Sequence, residues 1–157
     1  MADLHVVCLE KRDLASAYPL VRSAVGVTPD AWQKFAHRLM GGGGGVLAVR
    51  VDGGCLYGLA TFRPLDTLRH KRALHVELLV TIDLGSRQSA REVLLDRLRR
   101  IAEERACRSL MLTVPARSGP GATQWAKGDF TAPTATLVCE LGSSAHHPRT
   151  ALAASPR

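Results

Sequence analysis

The sequence lacks several features that would assign a function at once. It contains no asparagine and few aromatic residues, 4% of the chain, so a core must be built mainly from leucine, valine and alanine. No segment approaches the roughly 20 apolar residues that a membrane-spanning helix needs. The first residues, Met-Ala-Asp-Leu-His, show no basic region followed by an apolar run, so we expect no signal peptide. These absences predict a cytoplasmic protein with no membrane partner.

Familiar catalytic and metal-binding motifs are also missing. The four cysteines form no C-x-x-C pair and each lies in an apolar setting, which predicts small buried hydrophobes in a reducing compartment rather than zinc or redox sites. There is no G-x-S-x-G and no H-E-x-x-H. The adjacent His146 and His147 cannot together build a tetrahedral site. We therefore predict no metal site.

The composition is that of one globular domain with a basic surface. The chain has 157 residues, 46% apolar and 22% charged, with a formal net charge of +7. A basic surface favours anionic partners such as a phosphorylated cofactor, nucleic acid or an acidic protein, although excess arginine can also simply solvate the surface. The arginine-rich stretch 89–105 lacks interleaved aromatics and no helix-turn-helix pattern occurs, so nucleic acid is the weaker option.

Five consecutive glycines, residues 41–45, resemble a phosphate-binding loop only superficially. A P-loop ends in Lys followed by Ser or Thr and enters a helix, whereas here a strand-like Val-Leu-Ala-Val follows. The run is therefore predicted to be a flexible connector between a helix and a strand.

Hydrophobic periodicity predicts alternating strands and helices. Asp13 and Thr28 are candidate caps for the first two helices, and Pro29 fits a first helical position. The polar, basic segment 65–72 is predicted to be a loop, 1–141 to be a single domain, and 142–157 to be a flexible tail. Strands are predicted at 4–9, 46–51, 55–62, 73–82, 109–115 and 133–141, and helices from 13 to about 25, from 28 onward, at 89–105 and at 122–127.

The central strand, 73–82, carries the candidate chemistry. Strict alternation would place Leu74, Val76 and Leu78 on one face and His75, Glu77 and Leu79 on the other. Because this strand is followed by a helix and another strand, it forms a βαβ unit, and the sheet must be mixed.

Two stretches carry a family resemblance. Residues 93–110, with Glu-Arg-Ala-Cys at the end of the helix, are similar to the central helix and Glu-Arg-Gly-Cys-type turn of the GNAT superfamily of acyl-CoA-dependent N-acyltransferases. Residues 122–130 resemble that family's late helix, which ends in Lys-x-Gly-Phe. The resemblance implies an α/β (α+β) fold with a mixed, mostly antiparallel central sheet flanked by helices. It also implies acetyl-CoA or another acyl-CoA as cofactor.

The cofactor loop departs from the family pattern. Family members use an Arg/Gln-x-x-Gly-x-Gly/Ala loop, whose backbone N–H groups and helix dipole hold the pyrophosphate. Aligning the helices puts Ser89 and Arg91 in place of the two glycines. Arg87 and Arg91 could pair with phosphate, or the segment could be only a solvated helix cap. The resemblance implies cofactor contacts at Leu79, Val80, Arg87, Gln88, Ser89, Ala90, Arg91 and Trp125.

The resemblance also suggests a catalytic base but no acid. Family members often use a central-strand Glu as base and a late-helix Tyr as acid; here His75 is nearest the base position and Glu77 lies two residues on. Alternatively, both face solvent or pair with Arg69, His70 or Arg72. The Tyr is absent, because the late helix reads Trp-Ala-Lys at 125–127.

Three functions remain open at this level. The first is an acyl-CoA-dependent N-acyltransferase, with acetyl the expected group, acting on an unidentified small-molecule or peptide amine. The second is a catalytically inactive GNAT-like binding or regulatory module, and the third is a basic nucleic-acid binder. A homodimer formed at a sheet edge is compatible with each of them.

Overall fold

A computed structural model describes residues 3–51, 54–82, 89–115 and 134–142. The strands are β1 (His5–Cys8), β2 (Gly45–Arg50), β3 (Leu56–Thr67), β4 (Lys71–Thr81), β5 (Ser109–Pro115) and β6 (Thr134–Glu140). The α-helices are α1 (Leu14–Ala24), α2 (Pro29–Gly41) and α3 (Ala90–Glu104), and a short 3-10 turn precedes α1. The predicted helix 122–127 lies outside the described residues, as does nearly all of the predicted tail.

The six strands form one sheet in the order β1-β2-β3-β4-β5-β6. Every neighbouring pair is antiparallel except β4 and β5, which are parallel and are connected through α3. This confirms the predicted mixed, mostly antiparallel sheet flanked by helices. The predicted single domain over 1–141 stays a prediction.

The sheet carries a separate apolar cluster on each face. On one face, α3 contributes Leu94 and Leu98, which are fully buried against Leu74 and Val76 of β4. On the other face, α1 and α2 pack on β2 and β3, with Trp32 only 2% exposed. The amphipathic helices therefore each bury one stripe on the sheet, as their periodicity predicts.

The two predicted helix caps turn out differently. Thr28 caps α2, because its hydroxyl accepts a hydrogen bond from the backbone N–H of Ala31 (3.2 Å). Asp13 precedes α1 as predicted, but its side chain makes no cap hydrogen bond to that helix. The Asp13 carboxylate accepts instead a hydrogen bond from the backbone N–H of Glu10 (3.3 Å). Glu10 is the N-cap of a 3-10 turn at residues 11–13, so this bond stabilises the start of that turn.

The predicted loop at 65–72 is wrong. β3 continues to Thr67 and β4 begins at Lys71, leaving only a three-residue turn in which the N–H of His70 donates to Thr67 Oγ1 (2.9 Å). The strands pair through Asp66 with Arg72 and Thr67 with Lys71. Many residues at this end of the hairpin are exposed to solvent, and this exposure explains why paired strands have a polar sequence here.

The predicted faces of β4 are also wrong in part. Leu74 and Val76 pack in the α3 cluster, but Leu78 packs on the opposite face with α1 and α2. The reason is a bulge: Phe62 pairs with Val76 and Thr61 with Leu78, so Glu77 is an extra residue between them. Beyond it the inside–outside pattern is inverted, and Leu79 packs toward α3.

The cysteine prediction holds only for Cys107. All four cysteines are free, but Cys8, Cys55 and Cys139 are exposed. Within the described ranges, no helix is both long enough and apolar enough to cross a membrane, and no group of three or more His, Cys, Asp or Glu side chains could hold a metal ion.

Candidate active site

An opening in the sheet lies between β4 and β5. Their parallel ladder joins residues 73–76 to residues 109–112 and then stops, although β4 continues to Thr81 and β5 to Pro115. The opposite edge of this part of β4 stays paired with β3. Since a strand carries backbone N–H and C=O groups on both edges, the facing edges of β4 and β5 present groups that have no strand partner among the described residues.

A cleft of about 710 Å³ lies at this opening. Most of its walls are apolar, and the polar side chains among the described lining residues are Glu77, Arg91, Thr113 and Thr134. A concave, mainly apolar site with a few converging polar groups is the usual form of a small-molecule site. Its lining comprises Val21, Ala24, Val25, Val27, Ala31, Trp32, Phe35, Glu77, Leu78, Leu79, Arg91, Leu95, Leu112, Thr113, Val114, Pro115, Thr134 and Leu137.

Glu77 reaches the cleft because of the bulge in β4. As the extra residue between two paired positions, it lies where the strand changes face, and its side chain is exposed and lines the cleft. The buried hydroxyl of Thr61 accepts a hydrogen bond from the N–H of Leu78 (3.2 Å), which supports the backbone next to the bulge. The bulge thus places one acidic residue in the lining of a mainly apolar cleft.

His75 lies behind the cleft wall. Its Nε2 is 2.8 Å from Thr113 Oγ1, a side-chain bridge from β4 to β5 at the point where their ladder ends. Its Nδ1 is buried with no hydrogen-bond partner among the described residues. Burial lowers the pKa of His75, the Arg63 guanidinium on β3 lowers it further, and Glu77 partly opposes both.

The alternative pairings considered for these side chains are not found. Arg72 donates from Nε to the carbonyl of Arg105 (3.1 Å), and His70 Nδ1 lies 3.4 Å from a carboxylate oxygen of Glu140. Neither engages His75 or Glu77 in the described part of the chain; Glu77 is exposed, as the solvent-facing alternative predicts, whereas His75 is half-buried.

The lowered pKa of His75 predicts a pH-dependent stability. The unfolded chain takes up a proton at His75 near pH 6.5, whereas the folded chain resists it, so folding becomes less favourable as the pH falls below about 6.5. Thermal melts at pH 7.5 and 5.5 should therefore show a smaller loss of Tm in His75→Gln than in the unchanged chain. His37→Gln, at an exposed position on α2, serves as control. Equal losses in all three proteins would contradict the assignment.

The start of α3 holds three of the residues predicted to bind cofactor. Ser89 is its N-cap: the hydroxyl accepts from the N–H of Glu92 (3.1 Å), and the Glu92 carboxylate accepts from the N–H of Ser89 (3.4 Å). The side chain of Ala90 is 4% exposed in the core, and Arg91 is exposed and lines the cleft. Two further N–H groups of the first turn, at Ala90 and Arg91, have no partner within the helix.

The remaining predicted cofactor contacts are placed as follows. Leu79 and Val80 lie on the stretch of β4 that β5 does not pair; Leu79 lines the cleft and Val80 packs toward α1 and α2. Arg87, Gln88 and Trp125 lie outside the described residues. The roles of all these residues stay predictions.

Sequence reasoning missed the cleft's apolar side. Val25 and Val27 lie in the connection between α1 and α2 and are 41% and 37% exposed, yet both line the cleft. Two valines around a glycine in a four-residue connection were the available signal. Thr113, which bridges to His75, gave no sequence signal, because its role depends on where the parallel ladder ends.

Comparison with known proteins identifies the architecture. No family model matches the sequence, and neither does any curated protein. Among solved structures, a ribosomal-protein-alanine N-acetyltransferase from Brucella melitensis is similar at 23% identity over 82% of this chain and 95% of its own, with a TM-score of 0.59. A GCN5-related glucosamine N-acetyltransferase region of a fungal multi-domain protein aligns at 15% identity over 81% of this chain and 16% of its own, with a TM-score of 0.62.

The chain has the GNAT fold. Two further structures were determined with cofactor. A putative acetyltransferase from Salmonella typhimurium with acetyl-CoA shares 16% identity over 91% of this chain and 96% of its own, with a TM-score of 0.61. An aminoglycoside N-acetyltransferase in complex with CoA shares 14% identity over 81% and 84%, with a TM-score of 0.64. The GNAT resemblance drawn from residues 93–110 and 122–130 is thus confirmed at the level of the fold.

Proposed function

We propose that this GNAT-fold chain is an acyl-CoA-dependent N-acyltransferase, with acetyl the expected group, acting on an amine. The observation that carries the proposal is the position of Glu77. The β4 bulge places this exposed residue in the lining of the cleft where β4 and β5 are no longer paired. The similar structures named as acetyltransferases, two of them with acetyl-CoA or CoA, support the same activity.

The described residues fit an acyl-CoA. The unpaired edge of β4 at Leu79 and Val80 would bind the amide-bearing arm of the cofactor through backbone groups, and the open cleft leaves room for it. The first-turn N–H groups of α3 and the Arg91 guanidinium would hold phosphate. When bound, the cofactor would supply an acyl group as a thioester: the C–N bond forms at the expense of the C–S bond, and the sulfur leaves as a thiol with the second proton of the amine.

The chain's own contribution is to prepare the amine. At neutral pH an alkylamine is protonated and cannot attack a carbonyl carbon, so a base must accept one proton before the new C–N bond forms. Glu77 would hold the ammonium group and take that proton, directly or through a water. His75, linked to Thr113 behind the wall, would fix the spacing of β4 and β5 rather than meet the amine.

Direct measurements test the proposal. Calorimetry should detect acetyl-CoA binding at concentrations up to hundreds of micromolar, and mass spectrometry should detect an acetylated amine in a panel of primary amines. Absence of both binding heat and product would overturn it.

Arg91 provides a further prediction. Arg91→Ala should weaken acetyl-CoA binding by about five- to tenfold, because it removes a charge-assisted contact to phosphate. The difference should shrink at high salt, since Arg91 is exposed and its charge is screened. Arg100→Ala, also exposed on α3 but near its other end, should bind as the unchanged chain does. Equal acetyl-CoA affinities of the two variants would show that Arg91 does not contact the cofactor.

A second candidate function is a binding or regulatory module without catalysis. The observation that favours it is the Ser89–Glu92 capping box, which already satisfies two N–H groups at the start of α3 and places a carboxylate beside the expected phosphate site. This candidate predicts no product from any amine and no acetyl-CoA heat. The homodimer stays an untested prediction, and the weaker nucleic-acid alternative is likewise untested.

A further inference from the structure

One side of the cleft is built entirely from carbon-rich side chains. We call this side the apolar wall. It combines the C-terminal part of α1, the α1–α2 connection, the first half of α2 and one residue of β4. Its members are Val21, Ala24, Val25, Val27, Ala31, Trp32, Phe35 and Leu78.

Two polar groups of α1 and α2 next to the apolar wall are already satisfied by the protein. The indole Nε1 of Trp32 donates to the carbonyl of Leu14 (2.8 Å), and the Tyr18 hydroxyl donates to the carbonyl of Val27 (2.9 Å). The second bond also fixes the α1–α2 connection against α1. The wall is therefore held in place before any ligand arrives, and it offers apolar surface rather than hydrogen bonds.

The apolar wall keeps large hydrophobic side chains in contact with solvent. Val25 and Val27 are 41% and 37% exposed, although a short polar connector could have been built without them. Covering such surface gains about 25 cal/mol per Å², so a ligand with an apolar body would be favoured here. A ligand that is polar throughout would gain nothing from this side of the cleft.

The charges on the described lining residues favour an acceptor with few cationic groups. Among the described lining residues Glu77 is the only carboxylate and Arg91 the only cation. A polyamine or an aminoglycoside carries several ammonium groups, and each would need its own acidic partner on leaving water. The chain's net charge of +7 further disfavours a polycation.

We infer that the acceptor is a small primary amine with one ammonium group and an apolar body, of which an arylalkylamine is an example. Its single ammonium group lies at Glu77 and its body lies against the apolar wall. The inference rests on the proposed function and names the substrate class of that site.

A substrate series tests the acceptor class. With acetyl-CoA saturating, 2-phenylethylamine should show a kcat/KM at least tenfold above that of ethylamine, which keeps the ammonium group but lacks the ring. It should also exceed spermidine, kanamycin and a dipeptide with a free N-terminal alanine. A higher kcat/KM for a polycation or for the peptide would overturn the inference while leaving acyl transfer intact.

Paired variants locate the binding surface. Val27→Ser should lower kcat/KM for 2-phenylethylamine by about three- to tenfold and lower that for ethylamine much less, because only the larger amine reaches the wall. The side chain alone changes, so the Tyr18 bond to the Val27 carbonyl is retained. Leu68→Ser removes a fully exposed leucine at the β3–β4 turn, outside the cleft lining, and should change neither. Equal effects of Val27→Ser on both amines would contradict the assignment.

A binding measurement separates this inference from the proposed function. Calorimetric titration of 2-phenylethylamine into the chain, with and without acetyl-CoA, should show binding that weakens in Val27→Ser but not in Leu68→Ser. If acetyl-CoA does not bind and no amine is acetylated, the proposed function fails, and the amine titration still decides whether the cleft takes an arylalkylamine. No binding of 2-phenylethylamine in either condition overturns the inference.

Discussion

Glu77→Gln should lower kcat by about 10²- to 10³-fold while leaving the acetyl-CoA dissociation constant unchanged. The amide keeps the size and hydrogen-bonding reach of the carboxylate but cannot accept the proton of the acceptor ammonium, and a positioned general base contributes a factor of this order. Because Glu77 is exposed, the free energy of unfolding should stay within about 0.5 kcal/mol of the original. Steady-state kinetics over a pH series, with calorimetry for cofactor binding, would measure both.

A matched variant separates the role of Glu77 from a general effect of charge. Glu103→Gln removes the same charge at an exposed position on α3 and should leave kcat unchanged. His75→Gln should have a much smaller effect on kcat than Glu77→Gln, since His75 contacts Thr113 rather than lining the cleft. If Glu77→Gln retained full activity and His75→Gln abolished it, the base would have to be reassigned to His75.

Gly44→Ala should destabilise the fold by about 2–4 kcal/mol. A Cβ at Gly44 would clash with the carbonyl oxygen of Phe62 on β3 and would lie 2.9 Å from both the Cγ and the carbonyl oxygen of Leu39 on α2. Two of these three atoms belong to backbone, so relief requires moving α2 away from the sheet, and overpacking of this kind costs a few kcal/mol. Equilibrium urea denaturation would measure the change as a lower midpoint with an unchanged slope.

The control lies three residues earlier in the same glycine run. A Cβ at Gly41, the last residue of α2, would meet no atom within 4 Å, so Gly41→Ala should be neutral or stabilise by up to about 1 kcal/mol through helix propensity. Equal midpoints for the two variants would mean that the run serves only as a flexible connector. The expected contrast would instead show that Gly44 is needed for close approach of two backbones.

Features determined by neighbours in the chain were predictable. Thr28 followed by Pro29 predicts the start of α2, and the apolar stripe of residues 89–105 predicts α3; both are found in the structure. The mixed sheet follows from the strand–helix–strand order alone. These predictions rest on caps and periodicity, which act within one or two turns.

Features determined by pairing across the sheet were not predictable. The bulge at Glu77 exists because Thr61 pairs with Leu78 while Phe62 pairs with Val76, and nothing in the sequence of β4 marks that shift. The cleft likewise depends on the ladder ending at Val76 and Leu112. Sequence resemblance suggested Glu77 as a candidate base, but only the fold shows why this carboxylate reaches an apolar cleft and His75 does not.

The positions that shape the apolar wall have an evolutionary consequence. Val25 and Val27 lie in an irregular connection, half in solvent, and contribute little to the buried core that holds α1 and α2 on the sheet. Substitutions there should change which amine is accepted and hardly alter the free energy of unfolding. Changes at the buried Leu59 or Trp32 would destabilise the fold and be removed by selection. Selection can therefore change the amine specificity through these two surface positions while the sheet and Glu77 stay unchanged.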